Sequence, residues 1–401
     1  MDFDSNPDSV IPIPAKRIRK MHQQRAANKV RQKRLAKLIY ELFTFTSLPT
    51  YFILVMAGLC FIGYMVVSRP GIARWFGFML ASYSAIANDS IQTLGTFIAS
   101  NAKRKWWHLW LFIGLILVAT VTYSWLVYQG DVSYERLKAR GIAETPQTFN
   151  FLQILAPIVL LLLTQLRIPV STSFLLLSVF ATESVAIYSL LKKSFYGYVI
   201  AFWTAILVWY PFSMIFGKFF EEKPSWLGWA LLQWLSTGVL WSVWLMHDAS
   251  NIAVFLPRSL SLLEFLLFTG FIFGGLGMLF YFKGAKMQRL VDQKAGITDI
   301  RSASLVDFVY MLILFYFKNL NDIPMSTTWV FIGLLGGREI AISLTKKKLI
   351  NRRKSIYKSF KIIRRDLQYA LIGLFASIVL ATLANPVIRE TIRALVEVVR
   401  H

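Results

Sequence analysis

The sequence is short of charge: Asp, Glu, Lys and Arg make up 16% of its 401 residues and hydrophobic residues 56%. Soluble domains carry roughly a quarter charged residues, so this chain has too little polar surface to cover a water-soluble globule. Cysteine is nearly missing. The one thiol, Cys60, excludes a disulfide framework and leaves the redox compartment unreadable. Four scattered His and that single Cys do not supply the ligand set of a metalloenzyme. There is no Walker motif, no Rossmann fingerprint and no paired zinc-ligand spacing, so neither an enzyme nor an ATP-driven machine is expected. The first 46 residues hold no apolar core followed by a small-residue cleavage site, and no secretory signal is expected.

What the chain does have is apolar length. A helix crossing the hydrocarbon core needs ~20 mostly apolar residues. Ser47–Ser68, Trp106–Tyr128, Phe195–Phe216, Leu260–Phe282 and Leu367–Ile388 each meet that need. Trp75, Trp106, Trp107, Trp226 and Trp229 lie near run ends, where amphipathic rings settle at the headgroup level. The reading is an all-α polytopic membrane protein.

The net charge of +23 invites a nucleic-acid reading, but its distribution argues otherwise. Ten Lys and Arg lie between Lys16 and Lys37 and ten more between Lys346 and Arg365, each block abutting an apolar span. That placement follows the positive-inside rule and attraction to anionic headgroups, so no nucleic-acid partner is expected. A partner-binding role is the alternative for the N-terminal arm. Residues 1–46 are expected to be a basic cytoplasmic arm and 47–71 an additional membrane helix. A basic cytoplasmic loop, a final span and a short surface helix from Arg389 are expected within 345–401. The membrane implied is the plasma (inner) membrane.

Two polar motifs recur within the apolar runs. Ala87-Asn88-Asp89-Ser90-Ile91-Gln92 and His247-Asp248-Ala249-Ser250-Asn251 both place an Asp at membrane depth with an amide side chain further on. Downstream of each comes Ile-Pro-x-Ser-Thr, at Ile168–Thr172 and Ile323–Thr327, followed by Ser173 and Thr328. The Asp residues are 159 positions apart and the motif serines 155. Two motifs recurring in one order at nearly one offset mark an internal duplication, with repeat 1 over 72–217 and repeat 2 over 218–344.

An ionised Asp inside a membrane costs about 2.5 to 3.5 kcal/mol on insertion scales, so such residues usually face a cavity, an ion or a partner. Asp89 and Asp248, with Asn88, Gln92 and Asn251, offer hard oxygen ligands suited to a small cation. Capping a helix break or pairing with a Lys is the plainer alternative. Pro followed by Ser and Thr opens a helix and leaves hydroxyls beside free backbone N–H groups, a ready anion site. Ordinary N-capping is the plainer reading there. Helix starts at membrane depth are tolerated only when buried in protein or lining a cavity, as in the broken helices of secondary transporters.

These motifs resemble those of the inorganic phosphate transporter (PiT) family, whose halves each carry a Gly-Ala/Ser-Asn-Asp-Val-Ala-Asn signature and a Pro-Val-Ser-Thr-Thr/Ser segment. Ala87-Asn88-Asp89 with Gly95-Thr96 is similar to the first signature and Asp248 with Asn251 to the second. Pro169–Ser173 and Pro324–Thr328 are similar to the hairpin segments, as is the stretch from Lys286 through Ala295–Thr298 to Gly333–Gly337. The likeness covers about residues 72 to 388. It implies symport of inorganic phosphate with sodium or protons, inverted repeats, two re-entrant helical hairpins, frequent homodimers and no cofactor beyond the coupling ion. Carried over, phosphate would meet Gln92, Ser171, Thr172, Ser326, Thr327 and Thr328, and the cation Asn88, Asp89, Asp248 and Asn251.

The chain departs from the pattern at Gln92 and His247, where the family has Asn, and at Phe255-Leu256-Pro257-Arg258, where it has Gly-Pro. His247 would suit proton coupling, or would simply donate a hydrogen bond across the bundle. Arg258 would contact the anion or anchor at the interface. Sulfate remains a rival substrate, and a non-transporting scaffold or sensor the rival of another class. Phe273–Gly277 and Gly333–Gly337 are read as close helix packing.

Overall fold

The computed structural model describes residues 50–101, 103–138, 141–142, 144–166, 168–222, 227–281, 300–346 and 349–400. The basic N-terminal arm, Trp226, and the Lys286 and Ala295–Thr298 positions lie outside the described residues. Two compact units are present, Met1–Ala57 and Gly58–His401. Of the first, only 50–57 are described, the opening of a helix. Everything below concerns the second.

All regular structure among the described residues is helical. In chain order the helices are α1 Thr50–Val66, α2 Pro70–Ser100, α3 Trp106–Val127, α4 Phe151–Gln165, α5 Thr172–Leu177 and α6 Ser184–Glu222. There follow α7 Leu227–Ala253, α8 Leu262–Tyr281, α9 Ile300–Leu320, α10 Thr327–Leu344, α11 Leu349–Ala384 and α12 Pro386–Arg400. Single 3-10 turns lie at Arg136–Lys138 and at Ser178–Phe180.

By length and composition, α3, α8, α9 and most of α6 and α11 qualify as membrane spans. Polar residues in α2 and α7, including the Asp-centred motifs, set those two helices apart. The burial pattern agrees, because it is turned inside out relative to a soluble protein. Asp89, Asp248 and Asp307 are at most 1% exposed, whereas Leu207 is 72% and Phe375 68% exposed. The chain is an integral membrane protein.

Helix packing is reciprocal. α2 packs on α7 and α3 on α8; α2 also meets α8 as α7 meets α3. α2 packs on α4 as α7 packs on α9, and α10 lies against α6 as α5 lies against α11. Paired contacts of this kind, where element i touches j and j touches i, are what a two-fold relation produces.

The Pro motifs break the helices where expected. α4 ends at Gln165 and α5 begins at Thr172; α9 ends at Leu320 and α10 begins at Thr327. The returning limbs are unequal, six residues for α5 and 18 for α10.

One expectation is corrected. The basic block 346–365 is no loop: from Leu349 it forms the first half of the 36-residue α11. It contains neither Pro nor Gly, and Ile356, Phe360 and Ile363 recur at helical spacing, so nothing interrupts the helix. The terminal helix starts at Pro386 rather than Arg389. Asn385 positions it by donating to Ser178 O and Ala181 O at 3.1 and 2.6 Å while accepting from Val387 N.

The tightest helix contact is α10 on α6, and its cause is the Gly333-x-x-x-Gly337 spacing. A Cβ at Gly333 would run into Tyr198 O and one at Gly337 into Phe202 O, both backbone atoms that cannot rotate aside. Gly333→Val and Gly337→Val are each expected to lower the melting temperature of the detergent-solubilised protein sharply, beyond the 1–3 kcal/mol usual for overpacking. Gly270→Val, at a position with open space around its Cα, is expected to leave it nearly unchanged.

Candidate functional site

The spacing of the Asp motifs puts each on one helix face. Asn88, Gln92 and Thr96 follow at i, i+4 and i+8 on α2, with Asp89 and Thr93 beside them; His247 and Asn251 do the same on α7 with Asp248. These faces meet the two broken hairpins in the centre of the bundle.

Each hairpin opens its second helix in the same way. Ser171 and Ser326 are N-caps with nearly equal backbone angles, −75°/114° and −81°/105°. Each Oγ accepts from the amide three residues on, Phe174 N and Trp329 N, both at 3.2 Å. These two serines therefore close their helix ends, and the next residues reach into the core. The Thr172 hydroxyl donates to Asp89 Oδ2 at 2.7 Å. Its counterpart Thr327 lies beside Asp248.

The third position of each motif crosses to the other half. Gln92 Nε2 donates to Thr328 Oγ1 at 3.0 Å, and Asn251 Nδ2 donates to Ser173 Oγ at 3.1 Å. Thr328 Oγ1 in turn donates to Val170 O at 3.4 Å, and Ser173 Oγ to Met325 O at 3.0 Å. These pairs are equivalent under the offsets that relate the two motifs. The amides also hold their own carboxylates, Asn251 to Asp248 Oδ1 at 2.6 Å and Gln92 to Asp89 Oδ1 at 3.4 Å. Asn88 donates to Asp89 Oδ1, Val170 O and Thr172 Oγ1, and accepts from Thr164.

After these bonds some buried acceptors remain without a donor among the described residues: Gln92 Oε1, Asn251 Oδ1 and Asp248 Oδ2. No three His, Cys, Asp or Glu side chains among the described residues come together around a metal ion. The donors present are two carboxylates with amide, hydroxyl and carbonyl oxygens, a hard set that fits a small cation rather than a transition metal.

The structure thus brings together Asn88, Asp89, Gln92, Thr172, Asp248, Asn251, Thr327 and Thr328, with Ser171 and Ser326 capping the helices behind them. His247 Nε2 donates across the bundle to Leu314 O at 2.8 Å. Arg258 is not in the cluster. Its guanidinium donates to Val254 O, Leu256 O, Ile142 O and Glu144 O, which ties two loops together. Those N–H groups serve backbone carbonyls of the two loops.

Sequence reasoning missed three side chains here. Asp307 of α9 is fully buried and accepts from Thr96 of α2 at 2.7 Å and from Thr237 of α7. Arg136, in the α3–α4 loop, is 0% exposed and donates to Met246 O, Asn321 O and Ile323 O at 2.9, 3.4 and 3.0 Å. Burial draws its pKa down only to about 10, so it stays cationic at neutral pH. Lys193 of α6 donates to Asn321 O, Asn321 Oδ1 and Ile323 O. No motif marks any of them. A lone Asp in an apolar run was the available signal for Asp307.

No protein-family model matches the chain, and no curated protein matches it. One solved structure is similar, described as the sodium-dependent phosphate transporter. The likeness covers 77% of this chain and 98% of that one, at 17% identity and a TM-score of 0.47. At that distance the functional reading rests on the residues themselves.

Thr172→Val removes the hydroxyl that donates to Asp89 and accepts from Asn88. Two buried polar groups lose a partner, each worth about 1–3 kcal/mol. A clear fall in melting temperature is expected, larger than for Thr391→Val, whose exposed hydroxyl bonds only Val387 O.

Proposed function

We propose that the protein is a secondary transporter that moves inorganic phosphate in symport with a cation, sodium or proton, by alternating access. The observation that carries this is the core itself. Two helix N-termini with Ser and Thr hydroxyls converge on two buried Asp–amide pairs, and each half hydrogen-bonds the other half's hairpin. Positive helix ends and hydroxyl donors suit an anion, while the carboxylates and amide oxygens suit the cation that neutralises it.

The two-fold packing supports inverted repeats. If α4 and α5 form a re-entrant hairpin, three crossings (α2, α3 and α6) precede α7, so α7 runs opposite to α2. Pairing α11 with α6 carries the second repeat beyond residue 344 to Ala384. The N-terminal arm belongs in the cytoplasm of a plasma (inner) membrane cell boundary, where its basic residues meet anionic headgroups. A homodimer is the assembly implied by the family resemblance.

Phosphate is favoured over sulfate by the open acceptors. At neutral pH phosphate keeps a P–OH that can donate, whereas sulfate has none. Gln92 Oε1 and Asn251 Oδ1 are buried acceptors with donors still to find among the described residues.

The test is uptake of labelled phosphate into proteoliposomes under an imposed sodium or proton gradient, with and without excess sulfate. Gradient-dependent uptake that sulfate leaves intact is expected. Asp89→Asn and Asp248→Asn should each reduce it to the protein-free background while inserting normally. No uptake under any gradient would overturn the transport reading, full competition by sulfate would move the substrate, and normal uptake in both mutants would make the carboxylates structural.

A further inference from the structure

The second hairpin differs from the first in what holds its tip. The first break is met by neutral groups, with Val170 O accepting from Asn88 and Thr328. The second break, 321–326, is met by basic side chains. Arg136 and Lys193, both from the first half of the chain, donate to Asn321 O and Ile323 O. Lys318 stands beside them, over the Tyr134 ring, with its only described ion pair a 4.0 Å contact to the 61%-exposed Asp322.

Arg136 and Lys193 are 0% and 6% exposed, and neither has a carboxylate within salt-bridge distance among the described residues. Backbone carbonyls satisfy hydrogen bonds but cancel no charge, and the carboxylates that act on Arg136, Asp322 and Asp248, stand beyond ion-pair distance. Lys193 has three acceptors for its three N–H groups. Arg136 has a surplus: its Nη2, with two N–H donors, is buried and meets no acceptor. Its Nε holds Met246 O, two residues before Asp248. Arg136 thus lies near the Asp248 end of the core.

We propose that Arg136, with Lys193 and Lys318, forms an anion-docking site at the tip of the second hairpin, where a small oxyanion is received through Arg136 Nη2 next to the Asp248 core. It rests on the transport reading for the identity of that anion, not for the site's existence. Guanidinium suits the task because its paired N–H donors match two oxygens of a tetrahedral oxyanion, and it stays charged when buried. Arg136 and Lys318 also give this end of the bundle a positive potential that raises local anion concentration. Sequence reasoning assigned none of these three residues.

The experiment uses the full-length protein in lipid nanodiscs, titrated with inorganic phosphate, sulfate or chloride at constant ionic strength and read as a shift in melting temperature. Saturable stabilisation by an oxyanion, exceeding that by chloride, is expected for the wild type. Arg136→Gln should weaken the apparent affinity at least about tenfold, as loss of a charged hydrogen bond does. Arg136→Lys, which keeps charge but not the fork, should fall between. Lys318→Gln, at the partly exposed edge, should weaken it a few-fold and flatten its salt dependence. Wild-type oxyanion affinity in Arg136→Gln would overturn the site, as would equal stabilisation by chloride. Should Arg136→Gln fail to fold, unchanged affinity and salt dependence in Lys318→Gln would overturn it instead. The two readings fail separately: oxyanion binding that Arg136→Gln abolishes, without phosphate uptake by the wild type, sinks the phosphate carrier and keeps the site. Phosphate uptake with unaltered KM in both variants sinks the site and keeps the carrier.

Discussion

Backbone polarity at membrane depth is the constraint on which the rest of this structure depends. Breaking a helix inside hydrocarbon exposes N–H and C=O groups that no solvent is present to satisfy. Here the two breaks are satisfied largely from other parts of the fold. Thr328 serves Val170 O of the first hairpin and Ser173 serves Met325 O of the second, while Gln92 and Asn251 hold those same hydroxyls from helices of the opposite half. Neither hairpin has its hydrogen bonds complete without the other half of the chain. The duplication is therefore a structural necessity as much as a relic, because each repeat supplies what the other lacks.

That mutual dependence ties packing to function. The hydroxyl and amide bonds that cross between the halves at the core can exchange partners at modest free-energy difference, since a neutral hydrogen bond is worth only about 0.5–1.5 kcal/mol net. The glycine seam of α10 on α6 works the opposite way. Backbone there approaches backbone so closely that no side chain fits between, and these two helices move as one body or not at all. Because α6 belongs to the first repeat and α10 to the second, the seam fastens the second hairpin to the opposite half, while the hydroxyl and amide bonds at the core remain the softer contacts.

Much of this was legible in the residues. The Asp and amide positions lie at helical spacing, and Pro followed by Ser and Thr announces a helix start wherever it occurs. Their repetition at offsets of 159 and 155 marked the two-fold relation before any coordinates. What stayed hidden had no local signal. Arg136 sits in a loop of mixed charge, and only the fold brings it beneath the 321–326 break. The basic block after Lys346 resembled a loop because charge was read as solvent exposure, although long cationic side chains on a helix reach water readily. For Arg258 the sequence left an anion contact and an interfacial anchor open, and the fold adds four carbonyls within its reach.

Asp307 carries the same logic one step further. Its carboxylate comes from α9, the incoming limb of the second hairpin, and its two hydroxyl partners come from α2 and α7, the helices that bear the two Asp–amide motifs. The three are joined at a single fully buried group, one to two turns from the core along α2, where Thr96 follows Gln92 by four residues. A displacement of α2 against α7 must strand one of its oxygens or carry the hairpin limb along. In a medium without water, stranding a charged or polar oxygen is the more costly course. The position of the second hairpin is thereby tied to the relative placement of the two motif helices through one side chain.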